Sequence, residues 1–156
     1  MANRRDLVDM PRMDLQQTFE RLVGRYFLYL HQRLFEATDG RITWLGGLPV
    51  LLLRTTGRKT GVERTAALVY LQDGKDLVIV ASNGGSDTSP AWLGNLEKTP
   101  TVGVQIGRQR RKMHARIADP AERARLWPLV NEQNAGRYDV YQSRTKRKIP
   151  LVILSD

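Results

Sequence analysis

The stretch Val50-Leu51-Leu52-Leu53-Arg54-Thr55-Thr56-Gly57-Arg58-Lys59-Thr60-Gly61-Val62-Glu63-Arg64-Thr65 decides the fold. The apolar run Val50 to Leu53 reads as a buried strand. Gly57-Arg58-Lys59-Thr60-Gly61 is a turn, and Arg64 to Leu71 reads as the next strand. Asp73-Gly74 is a favoured two-residue hairpin signal. Leu77-Val78-Ile79-Val80-Ala81 follows as a further strand. Strands joined by short turns do not give the regular strand–helix alternation of a doubly wound parallel sheet.

Further along, Asn83 to Ser86 is a glycine-containing loop. Ser89-Pro90 then reads as an N-cap followed by proline at the first helical position. The helix it starts runs through Trp92 to Glu97 and stops before Thr99-Pro100. Val102, Val104 and Ile106 alternate on one strand face, Gly107 marks a turn, and Met113, Ala115 and Ile117 alternate on the next strand. Asp119-Pro120-Ala121-Glu122 combines a capping aspartate, proline at the first helical position and a glutamate that completes a capping box. That helix is expected to end near Gly136. Pro150 to Leu154 is a last strand.

Before all of these lies an apolar stripe, Leu15, Phe19, Leu22, Val23, Tyr26, Leu30 and Leu34, at three- and four-residue spacing. It predicts a helix from about Asp14 to Ala37, punctuated by Arg21, Arg25 and Arg33. Two readings stay open: a core helix, or one that also touches a membrane surface or a partner. Residues 1–12 read as a loose N-terminal segment and 13–156 as one domain. The expected class is α+β, mainly β: a small barrel of about six mostly antiparallel strands, with the N-terminal helix and two further helices packed around it.

The chain has 156 residues and a net charge of +9. It contains no cysteine, which excludes disulfides, thiolate nucleophiles and cysteine-based metal sites. His31 and His114 are its two histidines, too few for a histidine-rich metal site, so no metal is expected. No signal peptide or run of about 20 apolar residues appears, and the expected location is the cytoplasm, with peripheral contact at the inner face of the membrane if the first helix docks there. Residues 101–156 hold 12 basic and 5 acidic side chains, which leaves only a small excess for the rest. The excess sits in Arg108-Gln109-Arg110-Arg111-Lys112 and Arg144-Thr145-Lys146-Arg147-Lys148. An anionic ligand, partner or surface is the first expectation.

Three motifs carry chemistry. Gly57 to Gly61, with Arg64 nearby, gathers three cations and two glycines around one turn, which suits phosphate or carboxylates. It is not a Walker A loop, and a soluble basic turn is the competing reading. Ala81-Ser82-Asn83-Gly84-Gly85 leaves a strand, and its glycine pair allows a flat ligand to approach the backbone. The alternative there is a tight connection, with Trp92 as a core anchor. Tyr138 and Tyr141 share a face if helical and either line a pocket or pack in the core.

Taken in this order, the motifs resemble the deazaflavin-dependent nitroreductase family of actinobacteria. The resemblance covers about residues 14–154. It runs from Leu53 to Gly61 through Arg64-Thr65, then Leu77 to Gly85, Pro90-Ala91-Trp92, Asn95-Leu96 and Pro100. It ends on Tyr138-Asp139-Val140-Tyr141-Gln142 and Ile149-Pro150-Leu151. It implies a split β-barrel that binds coenzyme F420. By the same resemblance, Arg58, Lys59, Thr60 and Arg64 hold the phosphate and poly-glutamate tail. Ala81, Ser82, Asn83, Gly84 and Gly85 lie along the deazaflavin ring, Trp92 and Asn95 complete the pocket, and Tyr138 and Tyr141 close on the substrate. Two departures stand out. Asn83 occupies a position where the family often has lysine. Ala135 lies where a third aromatic is common, which weighs against bulky nitroimidazoles as substrates.

The implied reaction is hydride transfer from the reduced deazaflavin to an electron-poor acceptor, a quinone or an activated nitro compound. Ser82, a tyrosine hydroxyl or water supplies the proton. A membrane quinone would give the first helix a role at the bilayer surface. The chain is expected to be a monomer or a homodimer. Competing readings are an FMN- or haem-binding barrel and a basic nucleic-acid-binding module. The basic clusters lack interleaved aromatics for stacking on single strands, so no nucleic-acid partner is expected.

Overall fold

The computed structural model describes residues 44–45 and 47–156. The expected N-terminal segment and first helix lie outside the described residues. The described residues form seven strands: β1 Trp44–Leu45, β2 Leu48–Thr56, β3 Glu63–Asp73, β4 Asp76–Val80, β5 Thr101–Ile106, β6 Gln109–Ile117 and β7 Leu151–Ser155. Among the described residues there are three α-helices, α1 Ala91–Lys98, α2 Pro120–Gln133 and α3 Arg137–Ser143, and a single 3₁₀ turn at Asn83–Gly85. The last six strands form one antiparallel sheet in the order β2-β3-β4-β7-β6-β5. β5 pairs back onto β2 through Leu52–Gln105, Leu53–Val104 and Arg54–Gly103. The sheet therefore closes into a six-stranded barrel with no free edge. The two-residue β1 pairs with β2 alone.

Strand patterning follows which faces are covered. Val102 and Val104 of β5 and Met113 and Ala115 of β6 point into the barrel beside Leu51, Leu53, Leu77 and Ile79. On β6, Lys112, His114 and Arg116 face outward between buried Met113 and Ala115, as a one-sided strand requires. β4 and β7 are buried on both faces. Their second faces carry Val78, Val80, Leu151 and Ile153 against Leu126 and Val130 of α2. That double burial explains the unbroken apolar runs Leu77–Val80 and Leu151–Leu154. Truncating any of these leucines to alanine would cost about 2–5 kcal/mol.

Several expectations shift in detail. The β3–β4 hairpin turns on Gly74 and Lys75, because Asp73 pairs with Asp76, and Gly74 adopts φ +61°. Pro90 rather than Ser89 caps α1, with no side-chain cap bond. Ile117 ends β6 with 42% exposure instead of facing the core. The helix after Asp119 stops at Gln133, and α3 follows as a separate helix that the sequence pattern did not announce. Its seven residues are too short for an apolar period to register. α3 is fixed to α2 by Asp139, which accepts hydrogen bonds from Trp127 Nε1 at 2.7 Å and from Asn131 Nδ2.

The capping box at Asp119 forms as expected: its carboxylate accepts from Glu122 N at 2.8 Å, and Glu122 Oε2 accepts from Asp119 N at 3.0 Å. Both Glu122 oxygens also accept from Arg116, each at 2.7 Å. The Arg116 bonds first, and the backbone bond second, hold the Glu122 carboxyl at about 2 against an ordinary 4.5. A depressed carboxyl contributes stability that is present above its unfolded value and lost as pH falls through its folded one. Urea midpoints of wild type and Glu122→Gln should therefore differ by a constant amount above about pH 5. The gap should close between 4.5 and 2.

Candidate functional site

β2 ends at Thr56, and the chain turns back through Gly57 to Gly61. Gly57 N donates to Val62 O at 2.8 Å, and Gly61 N donates to Gly57 O at 2.7 Å, which closes the turn. Arg58, Lys59, Thr60 and Arg64 are all exposed around it. α1 packs beside the turn through Asn95, whose side chain is 6% exposed. Asn95 Nδ2 donates to Thr55 Oγ1 at 3.1 Å, and its Oδ1 accepts from Arg58 N at 3.0 Å. Lys98 Nζ donates to Arg58 O at 2.8 Å. One buried amide thus fixes the turn's backbone at Arg58, beside Lys59, while Arg64 projects from β3. An open groove of about 460 Å³ lies between them, walled by Thr65, Ala66, Ala91 and Trp92.

Gly94 gives the Arg58 guanidinium its place. A Cβ at this position would overlap Arg58 NH1 and come within 2.8 Å of its Cζ. The arginine lies over α1, where NH1 donates to Ala91 O at 3.4 Å. Glycine inside a helix costs up to about 1 kcal/mol relative to alanine, so its presence here marks a spatial need.

The structure places the remaining expected residues in a second group. Ala81 is fully buried in the barrel core with Trp92. Ser82 is half-buried, while Asn83 and Gly84 are exposed. Asn83 holds φ +46°, and its Nδ2 donates to Thr88 O at 2.9 Å. Gly85 is packed on α3: a Cβ there would lie 2.6 Å from Tyr141 O. The space left by this glycine is thus filled by protein, and only Gly84 leaves an open backbone.

Tyr138 packs into the core beside α2. It is 7% exposed, among Val78, Val80, Leu126 and Val130. Its ring sits 6.4 Å from Trp127 and 6.2 Å from Tyr141, centroid to centroid. Burial pushes its hydroxyl up to about 12. Tyr138 is a packing residue, which was the alternative reading of that pair, and such a hydroxyl is a poor proton donor. Tyr141 is half-buried at the edge of this cluster. No group of three or more metal-ligating side chains occurs among the described residues.

Thr55, Thr65 and Ala66 also line the groove; Thr55 and Thr65 lie within the motif without an expected role, and Ala66 carries no sequence signal. Arg147 is a further omission. It lies in a basic run expected to face an anionic ligand, partner or surface, yet its guanidinium bonds the carbonyls flanking the 3₁₀ turn.

The profile of the F420H(2)-dependent quinone reductase family matches residues 28–156. The chain belongs to that family. It is 46% identical over 147 residues to an F420H(2)-dependent quinone reductase of Mycobacterium tuberculosis strain H37Rv, covering 92% of this chain and 99% of that one. Among solved structures, an F420-H2-dependent reductase superposes with a TM-score of 0.63 at 35% identity, covering 69% of this chain and 94% of that one. A second, described as a domain-swapped dimer, gives 0.65 at 30% identity, covering 85% and 98%.

Gly94→Ala should free Arg58 without harming the fold. Its melting temperature should stay level or rise, while limited trypsin digestion after Arg58 should accelerate. Asn95→Ala should instead cost about 2–3 kcal/mol in urea unfolding, since it strands Thr55 and Arg58 N beside a small cavity.

Proposed function

We propose that this protein reduces quinones with hydride taken from reduced coenzyme F420. The observation that carries the reading is the convergence of Arg58, Lys59 and Arg64 on one groove in a chain of this family. The groove fits the coenzyme's chemistry: its tail is polyanionic, and three cations and a hydroxyl surround a walled, open cradle. Arg58, Lys59, Thr60 and Arg64 would hold the phosphate and glutamate tail. Asn95 acts through Arg58, whose backbone it fixes. Trp92, Ala81 and the Ser82–Gly85 turn would border the ring. When bound, the reduced deazaflavin supplies a hydride to the acceptor.

The residues of the chain bind and orient. Trp92 and Ala66 give the groove an apolar wall, which lowers the local dielectric around the tail's charges. Reduction of a quinone takes up one hydride and one proton. Ser82 and Tyr141, which keep partial contact with solvent, or water are the proposed proton sources, in preference to Tyr138. Activated nitro compounds accept hydride in the same way and are proposed as secondary substrates. No helix among the described residues is long and apolar enough to cross a membrane. Contact of the N-terminal segment with a bilayer, which would bring the enzyme to a membrane quinone, remains part of the proposal, as does a monomer or homodimer.

The test is titration with F420 followed by its fluorescence, then anaerobic turnover of F420H2 with menadione. Wild type should bind, with affinity that weakens as salt rises. Lys59→Ala/Arg64→Ala should bind at least about tenfold more weakly. Absence of F420 binding to wild type, or an unchanged double variant, would overturn the assignment.

A further inference from the structure

Arg147 lies on the connection between α3 and β7, more than 60 residues from the turn it touches. Its Nε donates to Ser86 O at 2.8 Å. Its NH2 donates to Ser82 O at 2.7 Å and to Ala81 O at 3.1 Å. Three carbonyls of one six-residue loop thus converge on one guanidinium. NH1 is buried with no partner among the described residues. Leaving such a donor unsatisfied is unfavourable. The arginine is therefore placed for the loop's carbonyls rather than for its own complete pairing.

The same connection grips the loop elsewhere. Thr145 Oγ1 donates to Asp87 Oδ1 at 2.8 Å. Arg147 is itself held by Gln142, whose Nε2 donates to Arg147 O at 2.8 Å and whose Oε1 accepts from Ile149 N at 3.0 Å. Gly85 lies flat against Tyr141 of α3. The loop needs such a clamp, because Asn83, Gly84 and Gly85 all hold positive φ, a conformation that the short turn does not secure alone.

We infer that Arg147 is the positioning residue of the Ala81–Ser86 loop, holding its carbonyls inward and so fixing where Ser82, Asn83 and Gly84 stand beside the bound deazaflavin. This inference rests on the proposed F420 reading. Because peptide units are planar and trans, carbonyls of Ala81 and Ser82 turned toward Arg147 send the N–H groups of Ser82 and Asn83 the opposite way. Loss of the guanidinium leaves Ser82 O with its bond from Gly85 N at 3.0 Å alone, so the Ala81–Ser82 plane is released most and the Ser82–Asn83 plane is loosened. Lysine is no substitute: its ammonium is a point donor without the planar fork that spans three acceptors.

The experiment compares Arg147→Ala, Arg147→Lys and Lys146→Ala, the last an exposed neighbour with the same loss of charge. Amide NMR spectra of the cofactor-free protein report the loop directly. In Arg147→Ala the Ser82, Asn83 and Asp87 amides should shift or broaden, those of residues 58–64 should not, and added ethylguanidinium should restore them. Arg147→Lys should show a milder form of the same change. F420 should bind the alanine variant roughly tenfold more weakly and Lys146→Ala within twofold of wild type, and menadione turnover should fall about 100-fold with Arg147→Ala. Unchanged loop amides in both Arg147 variants, or equal losses of affinity in Arg147→Ala and Lys146→Ala, would overturn the inference. Should wild type fail to bind F420 while the amide changes and their rescue appear, the F420 reading falls and the clamp stands.

Discussion

β2 pairs on both edges, with β3 on one side and β5 on the other, and the rest of the architecture hangs on that double pairing. It closes the barrel and leaves no backbone edge on the six strands. It also sets Gln105 opposite Leu52, where its buried amide is bonded through both its oxygen and its nitrogen. Gln105 Oε1 accepts from Arg54 NH2 at 2.7 Å and Arg110 Nε at 3.0 Å, and its Nε2 donates to Gly107 O at 3.0 Å. Closure fixes where β2 ends, and hence where the Gly57–Gly61 turn emerges. α1, leading directly into β5, is carried to the same end of the barrel. Asn95 then has only to reach across to Thr55 and Arg58.

A second layer is built on the faces of β4 and β7 that the barrel does not use. α2 and α3 cover them, and Tyr138 and Ile149 fill the gap. This layer spends much of the chain's C-terminal positive charge on structure. Arg125 NH2 meets Asp73 Oδ2 at 2.7 Å. Arg123 Nε donates to Ile149 O at 3.0 Å, and its guanidinium lies 4.2 Å from the Trp127 ring centre. Arg116 binds Glu122, and Arg147 binds the loop. The Arg116 and Arg125 pairs already cancel in the net charge, so it is Arg123 and Arg147, bonded to neutral carbonyls, that make +9 overstate the cationic surface offered to an anion. Arg58, Lys59 and Arg64 contribute little to the total, yet they surround the groove.

The strands, most of their turns and the Asp119 capping box were legible in the sequence because each depends on neighbours a few residues apart. Gly74 and Gly107 punctuate hairpins, and Asp119 finds Glu122 within one turn of helix. The cationic turn was legible for the same reason. α3 was not, since seven residues with one buried side chain give no period. Tyr138 and Tyr141 show the limit well. Their spacing put them on a shared helix face, where the rings meet at 6.2 Å, but only the packing of α3 on α2 turned Tyr138 into the core. Arg147 shows it further, because nothing in Arg144 to Lys148 distinguishes a solvated cation from one bonded to three carbonyls 60 residues away.

By itself the sequence determined a strand-rich chain, the order of its elements, the absence of thiol chemistry and a cationic turn suited to an anion. These follow from local periodicity, turn chemistry and composition, which act along the chain. Tertiary structure alone decided which cations remain free, which tyrosine is buried and which glycine is open to a ligand. Those outcomes depend on barrel closure and helix docking, which bring together groups whose separation in sequence carries no trace of their contact.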